Sequence, residues 1–101
     1  MSRAVQYQQR IKEKLMAASP ADIEAAVLRL LAAAGAGRTV NPTDAARALE
    51  PGPNWHVLMP AVRRAAVGLA LAGRLVIYRK GKPVDPNDFR GVYRLGLPRQ
   101  D

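Results

Sequence analysis

The stretch from Asn54 to Lys82, N-W-H-V-L-M-P-A-V-R-R-A-A-V-G-L-A-L-A-G-R-L-V-I-Y-R-K-G-K, constrains the fold more than any other part of the chain. Within it Leu58, Val62, Ala65, Leu69 and Ala72 recur at spacings of 4, 3, 4 and 3, the period of one helix face. Gly73 supplies a C-terminal stop. Arg74 to Lys80 then reads as a strand, with Leu75 and Ile77 on one side and Val76 and Tyr78 on the other. Lys80-Gly81-Lys82 opens a basic loop that runs through Pro83-Val84-Asp85-Pro86-Asn87-Asp88-Phe89-Arg90 to Gly91. Asp-Pro-Asn-Asp is turn chemistry, because proline fixes φ and the Asx side chains satisfy nearby backbone groups. Val92 to Leu97 is the return strand, where Tyr93, Leu95 and Leu97 alternate with Val92, Arg94 and Gly96. The expected result is a helix delivered directly into a β-hairpin with a long basic tip.

Two helices are expected before it. Ser19-Pro20-Ala21-Asp22 combines a polar cap, a proline at the first helical position and an acid placed for a capping-box variant. Ile23, Val27, Leu30, Leu31 and Ala34 follow at core spacing, and Gly35 or Gly37 ends the helix. Asn41-Pro42-Thr43-Asp44 repeats the starting logic for a short helix over residues 42–50, with Ala45, Ala46 and Leu49 facing inward. Pro51-Gly52-Pro53-Asn54 breaks it. Trp55 is expected as a hydrophobic plug beneath this turn, and the lone His56 as a surface residue. Ahead of all this, Tyr7, Ile11, Leu15 and Ala18 form a stripe among Arg3, Arg10, Lys12 and Lys14, which predicts a basic N-terminal helix or arm.

Three helices followed by a hairpin make an α+β chain of winged helix-turn-helix type. The expected division is an arm over residues 1–18, a winged-helix domain over 19–98 and a tail over 99–101. The chain also resembles a small bacterial family, domain of unknown function 3253, whose fold is winged-helix-like. The resemblance is carried by V-L-R-L-L-A-A-A-G-A-G-R-T-V-N-P-T-D-A-A-R-A-L at Val27 to Leu49 and W-H-V-L-M-P-A-V-R-R-A-A at Trp55 to Ala66. It continues in L-A-G-R-L-V-I at Leu71 to Ile77, G-K-P-V-D-P at Gly81 to Pro86 and G-V-Y-R-L at Gly91 to Leu95. What it implies is fold; the family brings no activity with it. In the family pattern the second half of the third helix carries further arginines, where this chain has Val67-Gly68-Leu69-Ala70-Leu71.

Sixteen Lys and Arg against eight Asp and Glu give a net charge of +8, which favours polyanionic partners. The excess is uneven. Residues 1–18 hold four basic and one acidic side chain, residues 19–52 three and four, and residues 53–101 nine and three. With no cysteine, thiol catalysis and a disulfide framework are excluded. The longest apolar run, Ala25 to Ala36, is interrupted by Arg29 and too short for a bilayer, so a soluble, cytoplasmic protein without a membrane partner is expected.

The leading functional expectation is a DNA-binding protein of low sequence specificity with a transcription-related role. Its contacts would be Arg63 and Arg64 on the third helix and Arg79, Lys80, Lys82 and Arg90 on the hairpin. The outer face of that helix beyond Arg64 is small or apolar, so the hairpin tip is the expected nucleic-acid contact. Val67, Gly68 and Leu71 carry the alternative, a protein-interaction or dimerisation module. An enzyme is not expected: there is no phosphate-cradling loop, no metal-ligand spacing and no nucleophile paired with a base, so no catalytic residue, metal or cofactor is assigned.

Overall fold

The computed structural model describes residues 19–98, so the expected N-terminal arm and C-terminal tail lie outside the described residues. The elements run in the order α1 (Pro20–Ala34), β1 (Thr39–Val40), α2 (Pro42–Leu49), a single 3-10 turn (Trp55–Leu58), α3 (Met59–Leu71), β2 (Val76–Arg79), β3 (Lys82–Pro83) and β4 (Arg94–Gly96). The result is an α+β arrangement of three helices and a four-stranded antiparallel sheet.

Each helix starts where its polar cap dictates. At α1 the Asp22 backbone N–H donates to Ser19 Oγ at 3.1 Å while the Ser19 N–H donates to Asp22 Oδ2 at 3.3 Å, a reciprocal capping box. Pro20 occupies the first turn, where a missing N–H costs nothing. Gly35, at φ 86°, closes the helix by donating its N–H to the Leu31 carbonyl at 3.0 Å. At α2 the Thr43 N–H donates to Asn41 Oδ1 at 3.0 Å. That helix ends at Leu49, one residue short of expectation, because two prolines follow closely. Helix α3 starts at Met59, with Pro60 in its first turn, and the 3-10 turn winds directly into it.

Helix α1 packs on both α2 and α3, and the sheet closes the remaining side of the core. Val27, Leu31, Ala46, Val62, Ala66 and Leu95 are inaccessible to solvent. Ala46 and Ala66 are small enough to let neighbouring helices approach closely. Full burial of each Leu, Ile or Val contributes roughly 1.5–3 kcal/mol. The strand order is β1-β4-β2-β3. Val40 pairs with Leu95 and Leu95 with Ile77, so these three share the face that meets the helices.

The hairpin tip departs from the single long loop that the sequence indicates. Arg79 pairs with Lys82, so Lys80 and Gly81 alone make the turn, at φ 51° and 79°. Left-handed conformations at both central positions match the twist of the flanking strands. Lys80 is the one non-glycine among the described residues with positive φ. Proline at 83 ends β3 early, and a separate turn follows in which Asp88 N–H donates to the Asp85 carbonyl at 3.0 Å and Asn87 N–H to Asp85 Oδ1 at 2.9 Å. The return strand covers only Arg94–Gly96, and Val92, expected at its start, is 84% exposed.

Candidate functional site

Two arginines from different elements hold the segment between the hairpin tip and β4. Arg63, on α3, is half-buried, and its Nη2 donates to the Phe89 carbonyl at 2.6 Å. The same guanidinium lies 3.8 Å from the centre of the Phe89 ring and 5.8 Å from that of Tyr93. Those rings meet edge to face at 5.2 Å, and both are buried. Arg79, on β2, donates Nε–H to the Val92 carbonyl at 3.0 Å. Gly91 permits this approach: its φ is 85°, and a Cβ there would sit 2.9 Å from Arg79 Nη2. The chain from Phe89 to Val92 is therefore tied at both ends, once to the helix and once to the hairpin.

The Tyr93 hydroxyl has no hydrogen-bond partner among the described residues although it is buried. Burial pushes its pKa above the ordinary 10.0, and the positive charge of Arg63 opposes part of that rise.

Of the six cations expected to meet nucleic acid, Arg63 and Arg79 are thus engaged within the fold. Arg64, Lys80, Lys82 and Arg90 are exposed. Arg64 and Arg90 each stand one residue beyond a partner of the Arg63–Phe89 bond, which joins positions 26 apart in the chain. On the face proposed for a protein contact, Gly68 and Leu71 are exposed, with Leu71 at 59%, whereas Val67 packs partly against the core. Trp55 is half-buried against the core beneath α2, with the Arg47 guanidinium 4.7 Å from its ring centre. His56 is exposed.

A second basic surface lies on the sheet face turned away from the helices. The register sets Thr39 opposite Gly96 and Tyr78 opposite Arg94, so all four share that face. Tyr78 fills the space over Gly96, where a Cβ would meet the ring at 2.9 Å. Arg94 donates Nε–H to Thr39 Oγ1 at 2.7 Å and Nη2–H to the Thr39 carbonyl at 3.1 Å. Beside them, and bordered by Arg38 and Lys80, is a groove of about 760 Å³. Neither Arg38 nor Arg94 was among the cations singled out by sequence pattern. The available signal was strand alternation, which sets Arg94 on the opposite face from Tyr93 and Leu95; Arg38 carries no such signal, because the strand after it is only two residues long.

Among the described residues no group of three or more His, Cys, Asp or Glu is placed to hold a metal ion. No helix among them is long and apolar enough to cross a membrane. Residues 20–98 match the family described as Protein of unknown function (DUF3253). The chain belongs to that family. The match begins at the first residue of α1 and ends two residues after β4, so the DUF3253 segment contains the arginine-held loop and both basic surfaces. No curated protein matches the chain.

Proposed function

We propose that this DUF3253 protein is a winged-helix nucleic-acid-binding protein that holds DNA with little sequence specificity, in a transcription-related role. The order of helices and strands, with β1 completing the sheet beside β4, is compatible with a winged helix. The observation that carries the reading is the Arg63–Phe89 bond: it fixes α3 against the hairpin segment at the residues next to the exposed Arg64 and the exposed Arg90. Lys80 and Lys82 extend the set to the hairpin tip. In this reading Arg63 and Arg79 position the cations rather than contact the ligand.

Helix α3 contains no Asn, Gln, Ser or Thr, and its exposed positions beyond Arg64 include Gly68 and Leu71. Phosphate contacts therefore outweigh base-edge contacts, and phosphate contacts carry no sequence information of their own. Four neutralised phosphates give a log–log dependence of affinity on salt of roughly −3.6. Titration of a mixed-sequence duplex at two salt concentrations tests the reading; failure to bind at low salt removes it.

A second reading is a protein-interaction or dimerisation module, favoured by Leu71 at 59% exposure one helical turn from the exposed Gly68. Sedimentation at high concentration separates the two: a monomer that binds duplex supports the first, and a dimer abolished by Leu71→Asp supports the second.

A further inference from the structure

We propose that the groove on the outer sheet face is a second phosphate-binding surface, which takes the sugar–phosphate backbone of a nucleic-acid strand as it leaves the hairpin tip. This rests on the nucleic-acid reading above but involves different residues and a different face. Three observations carry it. Arg38, Lys80 and Arg94 come from three separate segments, the α1–β1 turn, the hairpin tip and β4, and line one groove; among the described residues no acidic side chain is in its lining. Arg94 is held in place before any ligand arrives, because two of its guanidinium N–H groups are fixed on Thr39. Holding a planar guanidinium in place lowers the ordering cost of binding a phosphate. Finally, Lys80 and Gly81 belong both to the hairpin turn and to the groove, so a strand that touches the tip enters the groove without a gap.

Gly96 and Tyr78 give the surface its shape. With hydrogen in place of a side chain at position 96, the Tyr78 ring lies over the backbone of β4, and both residues line the groove. The volume of about 760 Å³ falls within the size range of ligand pockets and leaves space for a phosphodiester and its sugar.

The experiment is a binding titration of the full chain with a labelled mixed-sequence DNA duplex over a range of salt, for the unaltered protein, Arg38→Ala and Lys82→Ala. Arg38 is exposed and forms no helix cap, whereas Lys82 lies outside the groove lining. Loss of one phosphate contact flattens the slope by about 0.9, which corresponds to about eightfold weaker binding at 0.1 M salt when 1 M is taken as reference. Arg38→Ala is expected to show both changes. Amide shifts of Gly37 and Gly96, which line the groove and lie outside the hairpin turn, give a readout independent of any substitution when the duplex is added to the unaltered protein. If Arg38→Ala leaves affinity and slope unchanged and those amides stay still, while Lys82→Ala weakens binding, the groove assignment fails and the hairpin reading stands. If the unaltered protein does not bind duplex at low salt, both fall. If inorganic phosphate moves the same amides at sub-millimolar concentration and the duplex does not, the groove serves a free phosphate ligand and the strand assignment is overturned.

Discussion

Removing the Arg63 guanidinium is the perturbation with the largest expected consequence outside the apolar core. A hydrogen bond from a charged donor contributes about 1.5–3 kcal/mol, and a cation over an aromatic face about 0.5–2 kcal/mol depending on exposure. Both belong to one group at one site, so their sum overstates the loss. Arg63 is half-buried, which places the cation–aromatic part in the lower half of its range. Arg63→Ala is therefore expected to cost about 2–3 kcal/mol. For a domain of this size that lowers Tm by roughly 10–20 °C. Arg63→Lys keeps the charge but lacks the planar fork that bonds the Phe89 carbonyl while lying on its ring, so it recovers less than half of the loss. Urea unfolding followed by Trp55 fluorescence and circular dichroism measures both variants, and hydrogen exchange at residues 89–92 reports whether the loop is released. A cost below about 0.5 kcal/mol for Arg63→Ala, or unchanged exchange across that loop, would refute the structural role and return Arg63 to the set of free cations.

Tyr93→Phe removes a buried hydroxyl without a hydrogen-bond partner among the described residues, so it should stabilise the fold at neutral pH by about 0.5–2 kcal/mol in chemical denaturation. Because the folded phenol keeps its proton above the ordinary 10.0, its contribution is fully present below pH 10 and is lost as pH rises from there through the folded pKa; Tyr93→Phe should flatten that part of the stability–pH curve. Gly96→Ala forces the Tyr78 ring off β4, since the new Cβ would lie 2.9 Å from it, and should cost about 1–3 kcal/mol in thermal unfolding. Lys80→Asn places a residue that accepts the left-handed region before Gly81; it should raise stability by a few tenths of a kcal/mol while weakening duplex binding, two effects of opposite sign measured on one variant.

The caps and stops were legible because their chemistry is local. Ser19, Asp22 and Asn41 need only backbone groups two or three residues away, and all three make the bonds their positions imply. The inward stripe of α3 was equally readable, as Val62, Ala65 and Leu69 are buried at the expected spacing. The turn at Lys80-Gly81 was not, because a lysine in the left-handed region violates the preference by which such turns are found. The roles of Arg63 and Arg79 were hidden for a different reason. Their partners are the carbonyls of Phe89 and Val92, groups that every residue possesses and that leave no mark in sequence. Basic side chains on a helix and a hairpin look alike whether they face a phosphate or a carbonyl, and only the fold separates the two. The outer-face groove was likewise invisible until the register set Arg94 beside Thr39 and brought the α1–β1 turn alongside.

The nucleic-acid proposal rests on the exposed cations Arg64, Lys80, Lys82 and Arg90 binding a sugar–phosphate backbone. The deciding measurement is the slope of log affinity against log salt for a mixed-sequence duplex. The unaltered protein should give a slope of about −3.6 or steeper, falling in magnitude by about 0.9 for each of Arg64→Ala, Lys80→Ala, Lys82→Ala and Arg90→Ala. A slope near zero, or one that none of the four substitutions moves, would rule out backbone binding by these cations.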